Sequence, residues 1–228
     1  MKYQTLDPDR IIETVERLRE RVEQRFPESG LSRVCGELVT TAHQTAKRAG
    51  EIAAHNWPLR IAVSTVILGG LLALISSVKL LHLEEMEPNV GLLQTLEAAV
   101  NLLILFGGAT WFLVGLDDRL KRQRALDQLH TLRSMAHVVD MHQLSKDPHT
   151  LTHKNATTMS ADTLTRYLDA CSEMLALIAK LAALYAERMR DPVVIDAVTE
   201  IENLTTGLSR KIWQKISIIS NTHGSAAT

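Results

Sequence analysis

The densest group of side chains that could do chemistry lies between His130 and His142. At about 100° per residue on a helix, four of them fall within an arc of about 80°, beside an apolar stripe. They are His130, Arg133, His137 and Asp140. This arrangement allows either a metal site or a polar network, and the two are considered in turn.

A metal ion could use His137 and Asp140, because residues three apart on a helix lie on the same face. The remaining ligands would come from the polar segment or the helix that follows, and the candidates are His149, His153, Asp169 and Glu173. The region contains no H-E-x-x-H motif and no cysteine cluster. Metal binding at His137 and Asp140 is therefore the weaker hypothesis.

The alternative is a polar network, in which Arg133 pairs with Asp140 and the histidines form hydrogen bonds at a helix interface. We favour this interpretation. It assigns no catalytic residue, and nothing in the sequence indicates a cofactor.

A second polar group, Gln94, Glu97 and Asn101, enters a strongly apolar part of the chain. On a helix these side chains form one stripe that continues to Gly108 and Phe112. Such a stripe can pack helices together or mediate self-association. In an oligomer it can also line a pore.

Two apolar runs frame this stripe and dominate the first half of the chain. Residues 61–78 and 98–116 contain no charged residue. At about 1.5 Å per residue, each run approaches the ~30 Å hydrocarbon core of a bilayer. Because a helix satisfies its own backbone in lipid, the runs predict two transmembrane helices, at about 60–80 and 92–116.

The flanking charges predict the orientation of this hairpin in the membrane. Basic residues precede the first run and follow the second, whereas the turn between them carries glutamates. The positive-inside rule then predicts that both termini are cytoplasmic, with a bacterial inner membrane as the setting. The first residues contain no apolar stretch of signal-peptide type, so the first span is expected to direct insertion.

The rest of the chain reads as amphipathic helix. Asp7-Pro8 and Asp191-Pro192 are helix starts, and Ser160 can cap a third helix. The overall prediction is an all-α integral membrane protein. It comprises an N-terminal helical hairpin at 1–57 with a coiled-coil-like seam, a two-span region at 58–116, and a C-terminal three-helix bundle at 117–228.

Composition restricts the function further. A net charge of −1 argues against nucleic acid as a partner. The separated Cys35 and Cys171 are expected to be free thiols. Gly69-Gly70 and Gly107-Gly108 predict a close crossing of the two apolar helices.

No phosphate loop, nucleophile elbow or other enzyme signature occurs. The sequence therefore favours a non-enzymatic, membrane-anchored interaction or scaffold module that forms a homo-oligomer, with lipid and an unidentified protein as partners. Two alternatives remain open. One is an oligomeric ion channel or membrane-perturbing effector, and the other is a metal-dependent activity at His137 and Asp140.

Overall fold

The computed structural model describes residues 5–53, 57–81, 90–144 and 159–224. These residues form helices with a few cap and turn residues at their ends, and none of them lies in a β-strand. The helices of the described ranges are α1 (Pro8–Arg25), α2 (Gly30–Ala53), α3 (Trp57–Leu81), α4 (Val90–Leu144), α5 (Ala161–Arg188) and α6 (Pro192–Gly224).

The predicted helix starts are confirmed by their capping hydrogen bonds. The Asp7 carboxylate accepts from the Asp9 amide at 3.1 Å, and the Ser160 hydroxyl accepts from the Thr163 amide at 3.2 Å. The Asp191 carboxylate accepts from the amides of the second and third residues after it, at 3.0 and 3.3 Å. Such caps satisfy amide groups that have no partner inside the helix.

The described parts of residues 1–53 and 124–228 form one compact unit, called unit 1. Its core is built from the apolar seams that the sequence predicts on α1, α2, α5 and the second part of α4. On α1 the seam residues are all buried, and they are Ile11, Val15, Leu18 and Val22. On α6, Val194 is buried but the neighbouring Ile195 is 41% exposed, because one residue turns the side chain by about 100°.

The N-terminal hairpin packs directly on the C-terminal helices within unit 1. The rings of Phe26 and Tyr167 meet edge to face with centroids 5.4 Å apart. Beside them, the Arg21 guanidinium donates to both carboxylate oxygens of Glu173, one of them at 3.2 Å. Segments that the sequence assigns to separate domains therefore share one core.

The described parts of residues 54–123 form a second unit, unit 2, which contains α3 and the first part of α4. The two helices approach closely at Gly70, where an added Cβ would lie 2.6 Å from the Phe106 ring. The predicted close crossing is therefore found at Gly70, whereas Gly69, Gly107 and Gly108 face open space.

Among the residues that the structure describes, no helix combines the length and the apolarity needed to cross a bilayer. This finding contradicts the predicted integral membrane fold, its transmembrane helices at about 60–80 and 92–116, and the inner-membrane localisation with both termini cytoplasmic. The all-α part of the prediction is confirmed.

The physical basis of that prediction was the absence of charge over two long runs, and both runs are less uniform than this suggests. The first contains Ser64, Thr65 and two adjacent glycines. The second is not a helix of its own, because α4 continues without a break for 55 residues into a highly charged second half.

Candidate functional site

The predicted network around Arg133 is arranged differently in the structure. The Arg133 guanidinium donates to Glu200 on α6 at 3.1 Å, and it forms no ion pair with Asp140. Asp140 instead accepts a hydrogen bond from the Gln143 side chain, one turn along the same helix. The predicted Arg133–Asp140 pair is therefore wrong.

The histidines of this region do not form a metal site within the described residues. His130 and His137 are exposed. The described ranges contain no group of three or more His, Cys, Asp or Glu side chains that could hold a metal ion. His149 and His153 lie outside those ranges, and Glu173 is engaged by Arg21.

The described side chains of the second predicted polar group, Glu97 and Asn101, lie at the surface. Glu97 and Asn101 are exposed on α4, and Asn101 forms no hydrogen bond with any described residue. The Gln94 side chain lies outside the described residues. Ser64 and Ser76 on α3 are exposed as well. The stripe is thus a surface feature of unit 2. Its predicted location within a membrane is contradicted together with the predicted membrane spans.

The two cysteines are free thiols, as the sequence predicts, and the structure shows that both are buried. Burial raises the pKa of the Cys35 thiol to about 11 and that of the Cys171 thiol to about 12. Both thiols therefore stay protonated near neutral pH. Because the thiolate is the nucleophile, neither residue is suited to nucleophilic chemistry.

The most unusual feature of unit 2 is the amount of apolar surface that it leaves uncovered. On α3, the partly buried Val63 and Val66 and the buried Gly70 lie on the side that faces α4. The other side spans an arc of about 140° and carries six large aliphatic side chains that are 43–59% exposed, with the exposed Ser64 between them. We call it the α3 outer face, and it consists of Ile61, Ile67, Leu68, Leu71, Leu72 and Ile75.

A narrower exposed seam runs along α4. Phe106, Thr110 and Leu113 are partly buried, and they mark the side towards α3. Beside them, residues at 4-3-4-4 spacing fall within an arc of about 80° and are exposed. This α4 seam consists of Leu96, Val100, Leu103, Gly107 and Trp111.

The spacing of the α4 seam is the one that packs helices against each other as knobs into holes. Trp111 is 85% exposed, which is extreme for an indole in an isolated chain. The sequence contained the signal for both surfaces in its uncharged runs. What it did not show is that the apolar side chains would stay uncovered by the chain itself.

No family model, curated protein or solved structure matches this chain.

Proposed function

We propose that this chain is a non-enzymatic helical interaction module that self-associates, with a second copy covering the α3 outer face. The observation that carries the proposal is the exposure of six large aliphatic side chains on one side of α3. These six side chains do not belong to the core of unit 1, so this surface is a separate feature of unit 2.

The size of the surface supports a protein occupant. Six half-exposed leucine and isoleucine side chains present on the order of 500 Å² of apolar area, near the upper end of what the largest patch on a monomer reaches. Two such faces in contact would bury about 1,000 Å² in total, which meets the lower limit for a specific interface. Contributions from the α4 seam would enlarge it.

The chemistry of the surface favours an identical partner. Residues 61–76 of α3 contain no charged side chain, so this face offers no electrostatic complement to a partner of a different kind. A two-fold axis places the same patch of both copies in contact, and a predominantly aliphatic face is complementary to itself. Two α3–α4 hairpins would then form a four-helix bundle.

The experiment is a mass measurement in detergent-free buffer by sedimentation or light scattering. The chain is expected to give a multiple of its 25.3 kDa mass. In the variant L68E/L72E, two carboxylates enter the proposed interface, where burial of an unpaired charge is costly. This variant is expected to sediment as a monomer.

The matched control is V193E/I195E, which places the same two charges on exposed aliphatic residues of α6 in unit 1. It should leave the oligomer intact. A wild-type chain that is monomeric at micromolar concentration would overturn the proposal. So would flotation of the chain with phospholipid vesicles that is lost in L68E/L72E, because lipid rather than a second copy would then cover the face.

A further inference from the structure

A groove of about 650 Å³ runs between α5 and α6 in unit 1, far in sequence from the α3 outer face. Its volume falls within the ~300–1,000 Å³ typical of small-molecule sites. The α5 wall is made of small side chains at three- and four-residue spacing, Ala176, Ala179 and Ala183. Because these side chains end at Cβ, they leave space beside α6 that leucine or isoleucine fills in the rest of this helix pair.

Two further apolar groups complete the lining. Leu6 is held in place because its amide donates to both carboxylate oxygens of Glu187, at 3.1 and 3.2 Å. Trp213 on α6 lines the groove and is 57% exposed, so about half of this side chain is accessible to a ligand. The groove therefore offers an apolar bed for an alkyl or aromatic body.

Six polar side chains line the groove, and two of them, Lys180 and Arg210, are cationic. Lys180 and Arg210 form no ion pair or hydrogen bond with any described residue, whereas Arg21, Arg133 and Arg166 each hold a carboxylate.

The groove is also lined by hydroxyl groups. Thr206 and Ser209 make no hydrogen bond within the described ranges, although the Thr205 hydroxyl is satisfied by the Ile201 carbonyl at 2.9 Å. One carboxylate, Glu202, also lines the groove. The groove thus has an excess positive charge together with free hydroxyl donors.

We propose that this groove binds a small amphipathic anion, with an oxyanion head held by Lys180 and Arg210 and an apolar body lying on the alanines and Trp213. A guanidinium suits a carboxylate or phosphate head, because its donors match the spacing of two oxygens. The alanine wall from residue 176 to 183 is about 10 Å long, which suits a chain of about eight carbons. The proposal does not depend on self-association.

The test uses three probes with the same alkyl body: octanoate, octanol and octylammonium. In the full chain with W57F/W111F, Trp213 is the only indole, so its emission reports binding at the groove. Octanoate is expected to change this emission saturably at concentrations where octanol and octylammonium do not. K180A/R210A should weaken octanoate binding at least tenfold, since each lost charge-assisted hydrogen bond is worth about that factor.

The matched control is R190A/K211A, which removes two exposed basic residues that do not line the groove and should leave binding unchanged. A176L fills the groove from an exposed position and should also abolish the change. Equal responses to octanoate and octanol, an unaltered affinity in K180A/R210A, or no saturable change at Trp213 would each overturn the proposal.

Discussion

The ion-pair partner of Arg133 was not predicted correctly from the sequence. Arg133 and Asp140 lie on the same side of α4, but seven residues separate them by about 10 Å along the helix axis. Side chains pair along a helix at three or four residues, not at seven. Asp140 therefore bonds to Gln143, and Arg133 reaches across to Glu200 on α6.

A double-mutant cycle between Arg133 and each carboxylate tests this assignment. Arg133 is 52% exposed and Glu200 67% exposed at the side chain, so solvent screens their attraction. We expect a coupling energy below about 1 kcal/mol for R133A with E200A, measured by denaturant unfolding.

The cycle of R133A with D140A serves as the comparison and should give a coupling of about zero, because the two side chains do not meet. A larger coupling to Asp140 than to Glu200 would contradict the structure and restore the network predicted from sequence.

At the scale of the helix, α3 and α4 approach each other at one glycine of a pair. Gly70 is buried against the Phe106 ring, whereas the adjacent Gly69 has nothing within 4 Å of the position its Cβ would take. The two positions have the same neighbours in sequence and the same helical backbone. Alanine substitutions at the two positions therefore separate the effect of packing on stability from the effect of helix propensity.

We expect G69A to stabilise the chain by up to about 1 kcal/mol, since alanine favours the helix over glycine. G70A gains the same propensity but forces the Phe106 ring aside, at a cost of about 1–3 kcal/mol. It is therefore expected to be less stable than G69A, in chemical denaturation followed by circular dichroism.

The control is F106L, which removes the ring from the site of the clash. G70A in the F106L background should lose most of its penalty. Equal stability of G69A and G70A would show that the helices do not meet at Gly70.

At the scale of the whole molecule, the two units bury their apolar residues differently. Unit 1 encloses its seams around one core, whereas the described side chains of unit 2 leave the α3 outer face and the α4 seam uncovered. If a second copy covers these surfaces, folding and association are linked. Stability then depends on protein concentration.

We therefore expect the thermal midpoint to rise by roughly 3 °C when the chain is concentrated about a hundredfold, from linkage and the usual entropy of unfolding for a dimer of this size. Differential scanning fluorimetry measures this directly. L68E/L72E should show a midpoint that does not change with concentration. A flat midpoint for the wild-type chain would mean that its folding is independent of association.

Local signals in the sequence were sufficient for the helices themselves. The capping residues Asp7, Ser160 and Asp191 accept hydrogen bonds from amides within three residues. Their role can therefore be predicted without knowledge of the fold. The same holds for the seam of α1, which is buried as its spacing predicts. Helix existence, helix starts and core faces are set within one or two turns.

The ion-pair partners and the groove depended on which helices pack against each other in the tertiary structure. The partners of Arg133 and Arg21 come from helices 67 and 152 residues away, and the groove at Lys180 requires α5 and α6 side by side. The uncharged runs were read as membrane spans from their length and their lack of charge, whereas the described helices contain no span. Periodicity reports which side of a helix is apolar, and only the tertiary structure decides what, if anything, covers it.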